Sequence, residues 1–191
     1  MLRTFLAIPL PDNIRSALVV QQFLLPMPRR VEPAGFHLTL VFLGEQPDRV
    51  LEAAHEGFEA LRMPAFDLEM RGLGLFGGAR PRAAYAAVAP SDPLARLQAK
   101  VERVAHVAGA SPESRRFVPH VTLGRFAPPL PDEALRLERA VVAGAGFRAG
   151  PFTVRSMVLY RSVPGPQGSQ YDALAEYAFA GGPAAGADWQ N

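Results

Sequence analysis

The chain has 191 residues, 49% of them hydrophobic, with no cysteine and a formal net charge of +2. This composition excludes an intrinsically disordered chain, disulfides and thiolate metal sites, and the near-neutral charge decides nothing about a polyanionic partner. The length suits one large domain or two small lobes sharing a core. No apolar run approaches the roughly 20 residues of a membrane span, and the run Met1 to Ile8 is too short before Pro9 and Asp12 for a signal peptide. The expected location is therefore a reducing cytoplasm, with no membrane association. Only Lys100 among the 20 basic residues is lysine. An arginine fork suits phosphate, but abundant Ala, Gly, Pro and Arg together also read as GC-rich codon usage.

Thr4 to Leu10 reads as a first strand. Pro11-Asp12 opens a helix to about Leu25, with Ile14, Leu18 and Phe23 as its apolar positions. Pro26, Pro28 and Pro33 make a stiff loop before a strand over 36–43. Pro47 to Arg62 is a second helix, with Val50, Leu51, Ala54, Phe58 and Leu61 at helical spacing. Ala65 to Phe76 and Ala83 to Ala89 are strands around a Gly77-Gly78 turn. Ser91-Asp92-Pro93 starts a third helix, striped by Leu94, Leu97, Val101, Val104 and Ala105, which Gly109 ends. Arg115-Arg116 leads into a strand over 117–126. Pro131-Asp132-Glu133 starts a fourth helix to about Val142. Phe152 to Tyr160 is predicted as one strand, 161–169 as a Gly/Pro loop, and Tyr171 to Phe179 as a last strand. Residues 1–180 form one domain. Residues 181–191 form a Gly/Ala-rich tail that Trp189 could pin.

Two stretches stand out, Phe36-His37-Leu38-Thr39-Leu40 and Pro119-His120-Val121-Thr122-Leu123. The chain holds few His and Thr, so chance would produce roughly 0.08 His-x-Thr triplets; two occur, each followed by Leu. On a strand, side chains alternate between faces. His37 and Thr39 therefore share one face, and Phe36, Leu38, Leu40 and Phe42 the other. His120 and Thr122 likewise oppose Pro119, Val121 and Leu123. The second half of the chain repeats the element pattern of the first. The expected fold is α+β and bilobal, two pseudo-symmetric lobes of mostly antiparallel sheet backed by helices, with the two motif faces opposed across a central cleft.

A metal site is one rival use of the histidines, but zinc catalysis usually takes three ligands, and no His-Glu-x-x-His or clustered Asp accompanies them. A Ser or Cys nucleophile lacks its motif. Acid–base chemistry fits better. Two imidazoles titrating near neutrality, one neutral and one protonated, can take a proton from a nucleophile and give one to a leaving oxygen. A Thr hydroxyl on the same face can donate to an oxyanion between them. Such a site could open a phosphodiester in line with no metal and no cofactor, and Arg125 and Arg161 could add charge stabilisation. His55 and His106, on helical stretches without a motif, read as ordinary residues.

These two motifs resemble those of the two-histidine (2H) phosphoesterases. Within that superfamily the chain resembles the RNA 2′,3′-cyclic phosphodiesterases, historically called 2′-5′ RNA ligases (LigT-like proteins). The likeness extends to Arg3 to Leu10, to His37 through Glu45, to Arg116 through Arg125, to Gly74-Leu75-Phe76 with the Tyr85 strand, and to Arg161-Ser162, Gly168 and Tyr171. The resemblance implies a bilobal LigT-like fold. It implies hydrolysis of a terminal RNA 2′,3′-cyclic phosphate to a 2′-phosphate, with weak reverse 2′-5′ ligation. His37 would be the proton donor and His120 the proton acceptor. Thr39, Thr122 and Arg125 would bind phosphate, with Arg161 and Tyr171 as further substrate contacts. The partner would be RNA with a cyclic-phosphate end, tRNA fragments among the candidates, met by a monomer. Two other readings stay open: a cyclic phosphodiesterase acting on small nucleotides, and an RNA-end binding protein without turnover.

Overall fold

The computed structural model describes residues 1–112, 116–165 and 168–181; the expected role of Trp189 lies outside them. Among the described residues, eight strands form one antiparallel sheet: β1 (Leu2–Pro9), β2 (His37–Gln46), β3 (Phe66–Phe76), β4 (Ala83–Val88), β5 (His120–Arg125), β6 (Arg148–Val154), β7 (Ser156–Gly165) and β8 (Gly168–Ala178). Their order is β6-β3-β4-β5-β2-β1-β7-β8. The helices α1 (Asp12–Leu24), α2 (Asp48–Glu59), α3 (Asp92–Val107) and α4 (Pro131–Ala143) back it. The two motif strands β2 and β5 are adjacent at the centre, joined through one residue pair, Leu38 opposite Val121. That single bridge divides the sheet into two four-stranded lobes.

The lobes are interleaved in sequence. β1, β2, β7 and β8 make one, and β3 to β6 the other. The helices cross over as well. α1, which precedes β2, packs on β5 and β6, while α3, which precedes β5, packs on β2. Each motif strand is therefore covered by the helix that leads into the other. The apolar stripes explain these seats. Leu94, Leu97, Val101 and Ala105 of α3 are buried, as are Leu51, Ala54 and Phe58 of α2. Ser91 caps α3 by accepting from the Leu94 N–H.

Three expectations need correction. The single strand expected over Phe152 to Tyr160 is two strands that break at Arg155 and go to different lobes. A continuous apolar run cannot by itself report that the chain changes partners. The expected 161–169 loop is the end of a long hairpin, with Val163 opposite Gln170 and Gly165 opposite Gly168. Pro164, Gly165 and Gly168 sit in a two-stranded ribbon, where fewer ladder bonds are lost to them than in a sheet centre. Finally, Phe23 of α1 is exposed, at 78%, while Gln22 is buried, at 4%.

The buried glutamine has a cause in the sheet. In β4–β5 pairing, Ala84 faces Gly124 and Tyr85 faces Thr122, so Leu123 has no opposite residue and forms a β-bulge. Its carbonyl leaves the ladder. Gln22 Nε2 donates to it at 2.8 Å and to Val31 O at 2.7 Å, while Val31 N–H donates to it at 2.9 Å. This buried amide stitches α1, the proline-rich loop and the second motif together. Replacing Gln22 with Met keeps the volume but removes both hydrogen bonds, leaving Val31 O without its amide donor and Leu123 O with the Val31 N–H alone, and should cost about 1–3 kcal/mol; urea unfolding checks this, and an unchanged midpoint would refute the assigned role.

Candidate active site

Residues directly opposite each other in an antiparallel pair point to the same face. Leu38 and Val121 both point into the core, where each is wholly buried. Their sequence neighbours His37, Thr39, His120 and Thr122 must then rise together from the other face. The register sets His37 beside Thr122 and Thr39 beside His120. The motif faces do not confront each other across a gap, as expected from the sequence. They lie side by side as the floor of the cleft, because β2 and β5 belong to one sheet.

The bulge at Leu123 has a twin. In β1–β2 pairing Leu6 faces Val41 and Ala7 faces Thr39, which leaves Leu40 unpaired. Both motifs thus bulge at the Leu that follows His-x-Thr. A bulge shifts the alternation by one residue. Leu40 and Val41 are accordingly both buried, and Phe42 is turned to the cleft face at 44% exposure, against the strict alternation expected for it. In β5 the same shift brings Arg125 to the cleft face, where its Nη2 lies 3.5 Å from Thr122 Oγ1. The equivalent fifth positions after the two histidines thus differ: an aromatic in one motif, a guanidinium in the other.

Each imidazole is held in the same way. His37 Nδ1 donates to Gly35 O and His120 Nδ1 to Val118 O, both at 2.7 Å. A carbonyl only accepts, so Nδ1 carries a proton in every state and Nε2 is the atom left for chemistry. Aromatic rings frame both. Phe5 lies 4.8 Å and Tyr171 5.0 Å from the His37 ring, with Tyr160 at 6.2 Å. Phe76 and Tyr85, stacked at 4.2 Å, meet His120 at 4.8 and 5.4 Å. Tyr85 lies over Gly74, where a β-carbon would come within 2.4 Å of its ring.

Burial among these rings disfavours the charged imidazoles. His37 is pulled down to about 4, chiefly by desolvation, with the charges of Arg125 and His120 adding to it. His120 is lowered for the same first reason, and again by Arg125. Arg125 thus acts on both histidines at once. At neutral pH these shifts leave both imidazoles of the protein alone neutral, each with a basic Nε2.

The structure brings together His37, His120, Thr39, Thr122 and Arg125, and puts Tyr171 in the wall beside His37. Arg161 stands apart. It is one residue out of phase with Tyr160, which pairs with the cleft-facing Phe5, and its guanidinium is bound to Asp172 at 2.6 and 3.1 Å. Phe5, Phe42 and Tyr160 are cleft residues that sequence reasoning missed. β1 is buried on both faces from Thr4 to Ile8, so its pattern has no alternation to read. His55 bonds Tyr177 OH at 2.9 Å, and His106 ends α3; neither joins the site. Among the described residues, no group of three His, Asp or Glu side chains is placed to hold a metal ion, and no helix is long and apolar enough to cross a membrane.

The lowered histidines make a prediction about stability. A group whose folded pKa lies below its unfolded value of 6.5 contributes stability above pH 6.5, which is lost as pH falls toward the folded value. For His37, with its folded value at about 4, the loss is roughly 3 kcal/mol. Denaturant unfolding from pH 7 to 4 should show this acid limb, flattened by that amount in His37→Gln; parallel curves for both proteins would contradict the buried-imidazole reading.

Residues 10–165 match the family model for the 2′-5′ RNA ligase superfamily. The chain is 36% identical over 152 residues to an RNA 2′,3′-cyclic phosphodiesterase of Aeropyrum pernix, spanning 78% of this chain and 84% of that protein. It is 31% identical to one of Thermus thermophilus, spanning 94% of this chain and 91% of the relative. Among solved structures, E. coli LigT in apo form superposes with a TM-score of 0.76 at 26% identity, over 93% of this chain and 97% of that one. TT0787 of Thermus thermophilus gives 0.76 at 27% identity, over 92% and 97%. With paired His-x-Thr strands, a LigT-like fold and a match across most of its length, the chain belongs to the 2′-5′ RNA ligase superfamily.

Proposed function

We propose that the protein hydrolyses a terminal 2′,3′-cyclic phosphate on RNA to a 2′-phosphate, by metal-independent acid–base catalysis between His37 and His120. The observation that supports this most is the common floor: two imidazoles of one fixed tautomer and two hydroxyls on a single surface, beside one arginine. Relatives that span most of the chain are RNA 2′,3′-cyclic phosphodiesterases.

In the proposed reaction Thr39, Thr122 and Arg125 hold the non-bridging oxygens. His120 Nε2 takes a proton from water as the water oxygen bonds to phosphorus. The bond from phosphorus to the 3′ oxygen breaks, and His37 Nε2–H gives that oxygen its proton. The products are a 2′-phosphate and a 3′-hydroxyl, and the proton on His120 returns to solvent or to His37. With a 5′-hydroxyl in the place of water, the same steps in the same direction form a 2′-5′ linkage and free the 3′-hydroxyl, as weak ligation. Phe42, exposed at the end of the floor opposite Arg125, offers a π-face to the terminal nucleobase, while Arg125 holds the charged end.

Because burial holds His37 at about 4 in the protein alone, it must acquire its proton with the substrate. The phosphodiester brings the negative charge that offsets Arg125 and favours the imidazolium. Binding a non-hydrolysable cyclic-phosphate analogue at pH 7 should therefore take up close to one proton. Calorimetry in buffers of different ionisation enthalpy reads this directly, and proton-neutral binding would remove His37 as the donor.

The activity is tested by turnover of a short RNA ending in a 2′,3′-cyclic phosphate, in the presence of chelator. Wild type should release a 2′-phosphate, with His37→Ala and His120→Ala each slower by about 10²–10⁴. Activity on a small cyclic nucleotide alone would give the narrower phosphodiesterase reading. Tight binding without turnover would leave an RNA-end binding protein.

A further inference from the structure

Two consecutive arginines, Arg29 and Arg30, close the proline-rich loop before the first motif, and the fold uses them differently. Arg30 is committed to α1. Its Nε donates to Gln22 O at 3.2 Å and its Nη2 to Leu25 O at 3.3 Å, which satisfies carbonyls at the helix end. Arg29 has neither a hydrogen-bond acceptor nor an acid within ion-pair distance among the described residues, and it is exposed.

Its position is nevertheless fixed. The Arg29 carbonyl packs so closely on Gly124 that a β-carbon there would lie 2.6 Å from it. Gly124 is the residue between the bulged Leu123 and Arg125. Two residues after Arg29, Val31 is bonded to Leu123 O and to Gln22, and two residues before it Met27 is buried. The Arg29 guanidinium reaches the β7–β8 hairpin, where its Nη2 lies 3.9 Å from the β-carbon position of Gly168. Three residues further along β8 is Tyr171, the wall of the His37 pocket. Gly35, whose carbonyl holds His37, packs against the same tyrosine ring. The backbone bearing Arg29 is thus tied down between the end of β5 and the hairpin, at the Arg125 end of the catalytic floor.

An arginine without an acidic partner among the described residues, on a loop anchored by buried hydrogen bonds and packed on the residue before Arg125, has its guanidinium free to pair with a phosphate. We propose that Arg29 binds the backbone phosphate on the 5′ side of the terminal nucleotide, so that the enzyme selects RNA ends over free cyclic mononucleotides. This rests on the phosphodiesterase reading above and deepens it. The strand leaves the cleft over the Arg125 end, and the last nucleobase lies toward Phe42.

The test compares three substrates: a nucleoside 2′,3′-cyclic phosphate, a dinucleotide with the same cyclic end, and that dinucleotide with a neutral methylphosphonate linkage. In Arg29→Gln, kcat/KM for the natural dinucleotide should fall about tenfold, mostly through KM, and the methylphosphonate should erase the difference between variant and wild type. The loss on the mononucleotide should stay within about twofold. Equal losses on mononucleotide and dinucleotide, no loss on either, or a methylphosphonate that leaves the gap intact would each overturn the proposal. Thermal unfolding of the variant should match wild type, since the side chain is exposed. If wild type turns over none of the three, the phosphodiesterase reading fails. Equilibrium binding of the natural and methylphosphonate dinucleotides to both proteins then decides Arg29 separately, a charge-dependent difference supporting it and none refuting it.

Discussion

The site depends on one bridge. Leu38 and Val121 face each other where the two lobes pair at the sheet centre, and both side chains point into the core. The residues on either side of each are thereby forced to the opposite surface, which gathers two histidines and two threonines without any loop having to fold around them. Functional groups carried on strands at a sheet centre are held more rigidly than groups on loops. The crossed helices reinforce this, because the cover of each motif strand comes from the other half of the chain.

The twin bulges at Leu40 and Leu123 are the second constraint. Each unpaired leucine shifts the strand by one position, and a residue that regular alternation would bury emerges beside the His and Thr side chains. Phe42 arrives on one side and Arg125 on the other. A nearly symmetric floor thereby acquires direction, with an aromatic end and a cationic end. The cost is a carbonyl out of the ladder at Leu123, and Gln22, with the Val31 N–H, satisfies it. A polar residue in the buried stripe of α1 is the trace of that bulge.

The aromatic frame around the histidines has two effects that oppose each other. It excludes water, which strengthens every interaction with a bound phosphate. It also holds His37 far below its ordinary pKa, so the protein alone carries no ready proton donor there. In the proposed reaction the anionic substrate resolves the conflict by bringing its own countercharge. The hydrogen bonds to Gly35 and Val118 keep both rings oriented through the change of charge.

The sequence by itself determined the paired motifs, the alternation that puts each His with its Thr, the helices with their buried stripes, and the α+β LigT-like family. These follow from local rules of spacing and capping, which act within a few residues. It also singled out His37 and His120 as the candidate acid–base pair, through the rarity of the repeat. Only the tertiary structure decided that the two motifs share one surface, that Arg125 and Phe42 reach it, that Gln22 and not Phe23 is buried, and that Phe152 to Tyr160 divides between lobes. Each of these turns on which strand pairs with which, and in what register. A bulge or a change of partner arises between segments distant in sequence, so neither half of the interaction carries the information alone.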